Sequence, residues 1–133
     1  MNNLNLGFIG VGLMGLSLVK RLSKLDYKID AYDKNLKKLE PLKKLSNVRL
    51  NQRASEVSQN NNIIILCVDK TESVKEVVFG KDGLVNNANN NTIILDLSTT
   101  LADETINFAN QLNKKTRAAW IDAPVSGGPE KAL

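Results

Sequence analysis

No histidine occurs in the 133 residues. A Ser-His-Asp or Cys-His nucleophile pair, a His-ligated zinc site and an imidazole general base are therefore all excluded within this chain, and no metal is expected. Cys67 is the only cysteine and cannot form an internal disulfide; lying in an apolar run, it reads as a small hydrophobe. Aromatic residues make up 5%, and the eight glycines and three prolines are too few for a linker protein. The longest unbroken apolar run, Ile63 to Val68, is far short of the roughly 20 residues that cross a bilayer. Met1 to Asn5 carry no side-chain charge, and no A-x-A pattern follows the apolar stretch Leu6 to Val19, so a secretory leader is not expected. A cytoplasmic protein without a membrane partner is expected.

The composition, 42% hydrophobic and 24% charged, is that of a globular protein, and the length fits one domain. The net charge of +4 is concentrated in Lys34, Lys37, Lys38, Lys43, Lys44, Arg49 and Arg53. Such a patch attracts polyanions. With no aromatics interleaved, lysines separated by leucines read as a solvated helix face, and no nucleic-acid partner is expected.

Apolar periodicity predicts strands over Leu4–Ile9, Lys28–Tyr32, Val48–Leu50, Ile63–Val68, Thr92–Leu97 and Ala118–Ala123. Between them it predicts helices over Leu13–Leu25, with Leu18, Leu22 and Leu25 on one face, and over Glu72–Phe79, stopped by Gly80. Another is predicted over Asp103–Lys114, with Ile106, Ala109 and Leu112 inward. Asn35 caps a further helix with Leu36 and Leu39 inward, which Pro41 kinks or ends. Ala54–Ser58 is read as one turn. Strands alternating with helices imply an α/β fold: a Rossmann-type, doubly wound parallel sheet of about six strands in a single domain, residues 1–133.

Gly10-Val11-Gly12-Leu13-Met14-Gly15 is a G-x-G-x-x-G placed directly after a strand and opening a helix. Its glycines permit the tight turn, close approach of a pyrophosphate and packing of helix on strand. Asp33 ends the second strand, where an acid can bond the adenosine ribose hydroxyls and repel a 2′-phosphate, which favours NAD over NADP. Lys34 beside it offsets part of that repulsion. The plain alternative for the glycines is a tight turn that binds nothing.

Three segments together resemble the β-hydroxyacid dehydrogenases, the family that contains 3-hydroxyisobutyrate dehydrogenase. They are Gly7-Phe8-Ile9-Gly10-Val11-Gly12-Leu13-Met14-Gly15, Asp96-Leu97-Ser98-Thr99 and Asp122-Ala123-Pro124-Val125-Ser126-Gly127-Gly128. The resemblance runs from Leu6 onward and implies that Gly10 to Gly15 bind the cofactor pyrophosphate. It implies that Val68 and Asp69 border the cofactor, although the family usually has proline where Asp69 stands. By the same resemblance Ser98 and Thr99 lie beside the nicotinamide, and Ser126, Gly127 and Gly128 hold the substrate. Independently, ligands of open α/β sheets sit beyond the carboxyl ends of strands, where Asp69, Ser98 and Ser126 all fall. The plain alternatives are a helix cap at Ser98 to Thr100, with Asp103 in the capping-box position, and a simple turn at Ser126 to Pro129.

The activity implied is hydride transfer between a nicotinamide cofactor, NAD or NADP, and a small 3-hydroxy acid or its semialdehyde. In the family a lysine on a later helix, ahead of a mainly helical second domain, moves the proton; that position falls beyond Leu133, so no catalytic residue is expected in this chain, and alone it should turn over poorly. The partners expected are the small-molecule substrate and either a second copy or a separate C-terminal domain chain. The alternative is a catalytically inactive dinucleotide-binding module acting through a partner chain.

Overall fold

The computed structural model describes residues 4–133. Six parallel strands form one sheet in the order β3-β2-β1-β4-β5-β6: β1 Asn5–Ile9, β2 Lys28–Tyr32, β3 Val48–Leu50, β4 Ile63–Leu66, β5 Ile93–Asp96 and β6 Ala119–Asp122. This is the doubly wound order that reverses between β1 and β4. The helices are α1 Leu13–Lys24, α2 Ala54–Asn60, α3 Thr71–Phe79, α4 Ala102–Thr116 and α5 Gly128–Ala132, with 3-10 turns over Leu36–Leu42 and Leu84–Asn86. Among the described residues no helix is long and apolar enough to cross a membrane.

Right-handed crossovers put α1 and the Leu36–Leu42 turn on one face of the sheet, and α2, α3 and α4 on the other. Two cores result. Leu6, Phe8, Val19, Ile29, Ala31, Leu39, Leu42 and Ile65 fill the first; Val57, Ile64, Leu66, Val74, Val78, Ile94, Phe108 and Leu112 fill the second. Successive residues of β4 point into opposite cores, which is why that strand is apolar at every position. Phe108 is the aromatic centre of the second core, its ring centroid 5.9 Å from that of Phe79 and 6.2 Å from that of Trp120.

Two expected inward positions are instead exposed, as is one end of the leucine face expected on α1. Ile106 is 60% exposed, because α4 turns Thr105, Phe108 and Leu112 inward. Leu36 is 49% exposed at the start of the 3-10 turn, which buries Leu39 and Leu42 and has Pro41 inside it. Leu25 is 47% exposed at the end of α1. There the buried residues are small, Gly15, Ser17, Val19 and Ser23, while Leu18 and Leu22 pack half-buried on the first core. The turn expected at Ala54–Ser58 extends to Asn60. The strand expected over Ile63–Val68 stops at Leu66, leaving Cys67 and Val68 in the loop that follows.

Candidate functional site

The carboxyl ends of β1, β2 and β4 surround a cleft of about 620 Å³, where the strand order reverses. Its floor is Ile9, Gly10, Gly12, Leu13, Met14 and Gly15; one wall is Asp33, Lys34, Asn35 and Lys38. The other is Cys67, Val68, Asp69 and Lys70, continued by Glu72, Ser73, Glu76 and Val77 of α3.

The three motif glycines answer to different constraints. Gly10 has φ +99°, and a Cβ there would lie 2.2 Å from the Cys67 carbonyl oxygen. At Gly15 a Cβ would lie 1.9 Å from the Gly10 carbonyl oxygen. Both are therefore glycine because the chain folds this way. Gly12 is different: its φ is −77°, and a Cβ would meet nothing within 4 Å. The fold supplies no reason for glycine at 12, and the empty space beside it faces the cleft.

Gly12 is also the N-cap of α1, without a side-chain cap and with no acid in the first turn, while Arg21 and Lys24 occupy the last. The first-turn amides thus keep their donor capacity, and no acidic residue of the first turn offsets the positive end of the helix dipole. A backbone open at 12, together with free amides and a positive dipole, fits a phosphate anion.

Asp33 is 9% exposed and braces this floor. Its Oδ2 accepts from the Val11 N–H at 2.7 Å and its Oδ1 from the Asn35 N–H at 2.8 Å. A carboxylate oxygen retains a second lone pair, so ribose hydroxyls can still be accepted from the cleft side. Val11, by contrast, turns its side chain into the first core and offers only its amide, to Asp33. Lys34 reaches across the cleft to Glu76, with Nζ 3.0 Å from Oε1 and 2.9 Å from Oε2; this ion pair raises the lysine pKa. Asp69 accepts from the Ser73 hydroxyl at 2.6 Å, and that bond holds its carboxyl below the usual range. Burial, aided by the Asp96 charge, pushes the Cys67 thiol up, as expected of a structural cysteine.

The expected residues do not all converge. Gly10, Gly12, Leu13, Met14, Gly15, Asp33, Val68 and Asp69 line the cleft. Ser98 is buried behind it, its Oγ accepting from the Val68 N–H at 2.9 Å, and so fixes the loop after β4. It does not cap α4, whose N-cap is Leu101 without a side-chain bond. Thr99 is exposed nearby. Ser126 lies outside the cleft, and Gly127 and Gly128, with φ of +100° and +74°, open α5, which packs on α1. No motif announces the α3 wall; the i, i+4 pairs Glu72/Glu76 and Ser73/Val77 are its trace in the sequence.

Beneath the Ser98 loop, Asp96 is fully buried. Its Oδ1 accepts from the Ser98 N–H at 2.9 Å, while its Oδ2 has no partner. Burial pushes its carboxyl above the usual range, and Asp122 adds to the shift against the opposing Ser98 bond. A raised folded value means that the stability contribution is full below the ordinary carboxylate range and is lost as pH rises through the folded value. Asp96→Asn, which keeps the shape without the charge, should therefore gain in thermal midpoint relative to the unsubstituted protein as pH rises above about 4. A difference that stays constant as pH rises would contradict this.

Residues 5–133 match the family model described as the NAD binding domain of 6-phosphogluconate dehydrogenase. The chain is 32% identical over 125 residues to the 2-hydroxy-3-oxopropionate reductase of Escherichia coli, covering 94% of this chain and 42% of that one. It is 29% identical to the cytokine-like nuclear factor N-PAC of Pongo abelii, covering 94% of this chain and 22% of that one. A solved 3-hydroxyisobutyrate dehydrogenase from Salmonella typhimurium superposes with a TM-score of 0.83 at 21% identity, over 97% of this chain and 44% of the other. The chain thus spans less than half the length of each of these relatives.

Proposed function

Because the chain belongs to the family of NAD-binding domains typified by that of 6-phosphogluconate dehydrogenase, with a nicotinamide dinucleotide as its cofactor, we propose that it serves a dehydrogenase acting on a small 3-hydroxy acid or its semialdehyde. The observation that carries the cofactor part of this reading is Gly12: glycine where the fold needs none, beside open space at the uncapped start of α1. The amides of Gly12 to Met14 would hold the pyrophosphate, Asp33 the adenosine ribose, and Val68 and Asp69 the edge of the cofactor. Ser98 would keep the Val68 loop in place beside Thr99 at the nicotinamide end. The dinucleotide is NAD, in line with the carboxylate of Asp33 at the adenosine end. When bound, it supplies the hydride acceptor or donor.

Ser126, Gly127 and Gly128 are assigned to the substrate, in line with the family resemblance of that segment. Proton transfer to and from the alcohol is given to no residue of this chain. Calorimetric titration with NADH and NADPH is the test. Selective NADH binding, weakened at least about tenfold by Asp33→Ala, is expected, since a lost hydrogen bond to a charged group costs about that much. Binding of neither dinucleotide would overturn the reading.

A second reading, a dinucleotide-binding module acting through a partner chain, is favoured by one observation. The substrate-side residues Ser126 and Gly127 are exposed and stand outside the cleft, so the cofactor half alone is assembled. Oxidation of NADH by semialdehydes when the chain is mixed with a family second domain would support the dehydrogenase over the module.

A further inference from the structure

The adenosine end of the cleft holds a contact that no motif announces. Lys34, directly after the ribose acid, is the cation best placed to meet a 2′-phosphate, yet both oxygens of Glu76 already hold its ammonium. The pair bridges the cleft from the end of β2 to α3, and both residues line it. Asp33 discriminates less than its position suggests, since each of its oxygens is already accepting a backbone N–H. Lys38 is the remaining lysine on this wall, and among the described residues it forms no ion pair.

We propose that Glu76 is the specificity-determining residue of the cleft, excluding dinucleotides that carry a 2′-phosphate by occupying Lys34 and by setting its own charge against the phosphate. The proposal rests on the dinucleotide reading above and deepens it.

A phosphate monoester carries nearly two negative charges at neutral pH. To reach Lys34 it must displace the Glu76 carboxylate and then lie close to it. At a separation of about 6 Å in water-like dielectric, that repulsion alone amounts to about a tenfold loss in affinity. The ion pair is no obstacle to the uncharged ribose hydroxyls of NAD. Both side chains are largely exposed, 74% for Lys34 and 57% for Glu76, so the pair adds little to folding stability and substitutions there leave the fold intact.

The test is calorimetric binding of NAD⁺ and NADP⁺ at low salt to the unsubstituted chain, to Glu76→Gln, and to the double variant Glu76→Gln/Lys34→Ala. The unsubstituted chain should favour NAD⁺. Glu76→Gln should raise the ratio of NADP⁺ to NAD⁺ affinity about tenfold, and Lys34→Ala on that background should abolish the rise. An unchanged ratio in Glu76→Gln would overturn the proposal while leaving the dinucleotide reading standing, as would a rise that survives loss of Lys34 or an unsubstituted chain that prefers NADP⁺. Failure of every protein to bind either dinucleotide would overturn both.

Discussion

Gly12→Val is expected to stay folded and to lose at least about a hundredfold in dinucleotide affinity, whereas Gly10→Ala and Gly15→Ala are expected to destabilise the fold itself. The same motif thus divides into two classes of consequence. At Gly12 the backbone is in a region open to any residue and the added carbons enter empty space. The folding cost is accordingly small, within about 1 kcal/mol. Those carbons would occupy the volume through which a pyrophosphate approaches the amides of α1, and the affinity falls for that reason. At Gly10 a side chain is penalised twice, by φ +99° and by the Cys67 carbonyl at 2.2 Å. At Gly15 the single clash, 1.9 Å from the Gly10 carbonyl, is between the first turn of α1 and the end of β1, neither of which can yield without opening the sheet. Strain and overpacking of this kind cost roughly 1–3 kcal/mol each, so a loss of about 2–6 kcal/mol is expected at Gly10 and of about 1–3 kcal/mol at Gly15. Thermal unfolding followed by circular dichroism, paired with calorimetric NADH titration, separates the classes. Unimpaired NADH binding by Gly12→Val would remove the main support for the pyrophosphate site.

Phe108→Ala should lower the thermal midpoint by about 10–20 °C, while Ile106→Ala two residues away should scarcely move it. Phe108 is 2% exposed and its ring lies among Phe79, Trp120 and the aliphatic second core. Removing it leaves a cavity where α4 meets the sheet, and large-to-small changes of this sort cost about 3–5 kcal/mol. Ile106, 60% exposed, has little burial to lose, and its truncation should stay within about 0.5 kcal/mol. Equal effects at the two positions would mean that α4 is rotated from the orientation described.

The same pair of residues marks how far the sequence is legible. The alternation of strands and helices is visible because β4 and its neighbours are short apolar runs bounded by polar loops, and the strand limits agree to within a residue or two. The facing of α4 is not visible. The stripes 106/109/112 and 105/108/112 both close on Leu112, and the true one contains a threonine. Thr105 is buried with its hydroxyl bonded to Thr100 and to the Leu101 carbonyl, so a polar residue disguises the inward face. Nor does a glycine mark the end of that helix: Arg117 closes it at φ +66°. The Leu36–Leu42 segment misleads for a different reason: Leu36 is the first residue of the turn and stays half-exposed, while Leu39 and Leu42 are buried.

The candidate site is legible where it is local and opaque where it is assembled. Gly10 to Gly15 and Asp33 are recognisable because one turn and one strand end carry them. The bonds from Val11 and Asn35 to Asp33 depend on how β1 and β2 lie side by side, and the α3 wall depends on β4 docking next to β1. Neither relation is written in any short stretch of residues.

That docking has a consequence for how the protein acquires its cleft. Asn5 pairs with Lys28 across β1 and β2, a contact closed by a short stretch of chain, but Leu6 pairs with Ile63 across β1 and β4, which closes a loop containing the whole first half of the molecule. Longer closures carry a larger entropic cost and come late unless local structure has already shortened the search. Because the glycine turn and Asp33 stand on one side of this seam and Val68 to Val77 on the other, neither half of the chain possesses a dinucleotide cleft by itself. The binding surface comes into being in the step that joins the two halves, and a bound cofactor would in turn favour the joined form over any state in which they have parted.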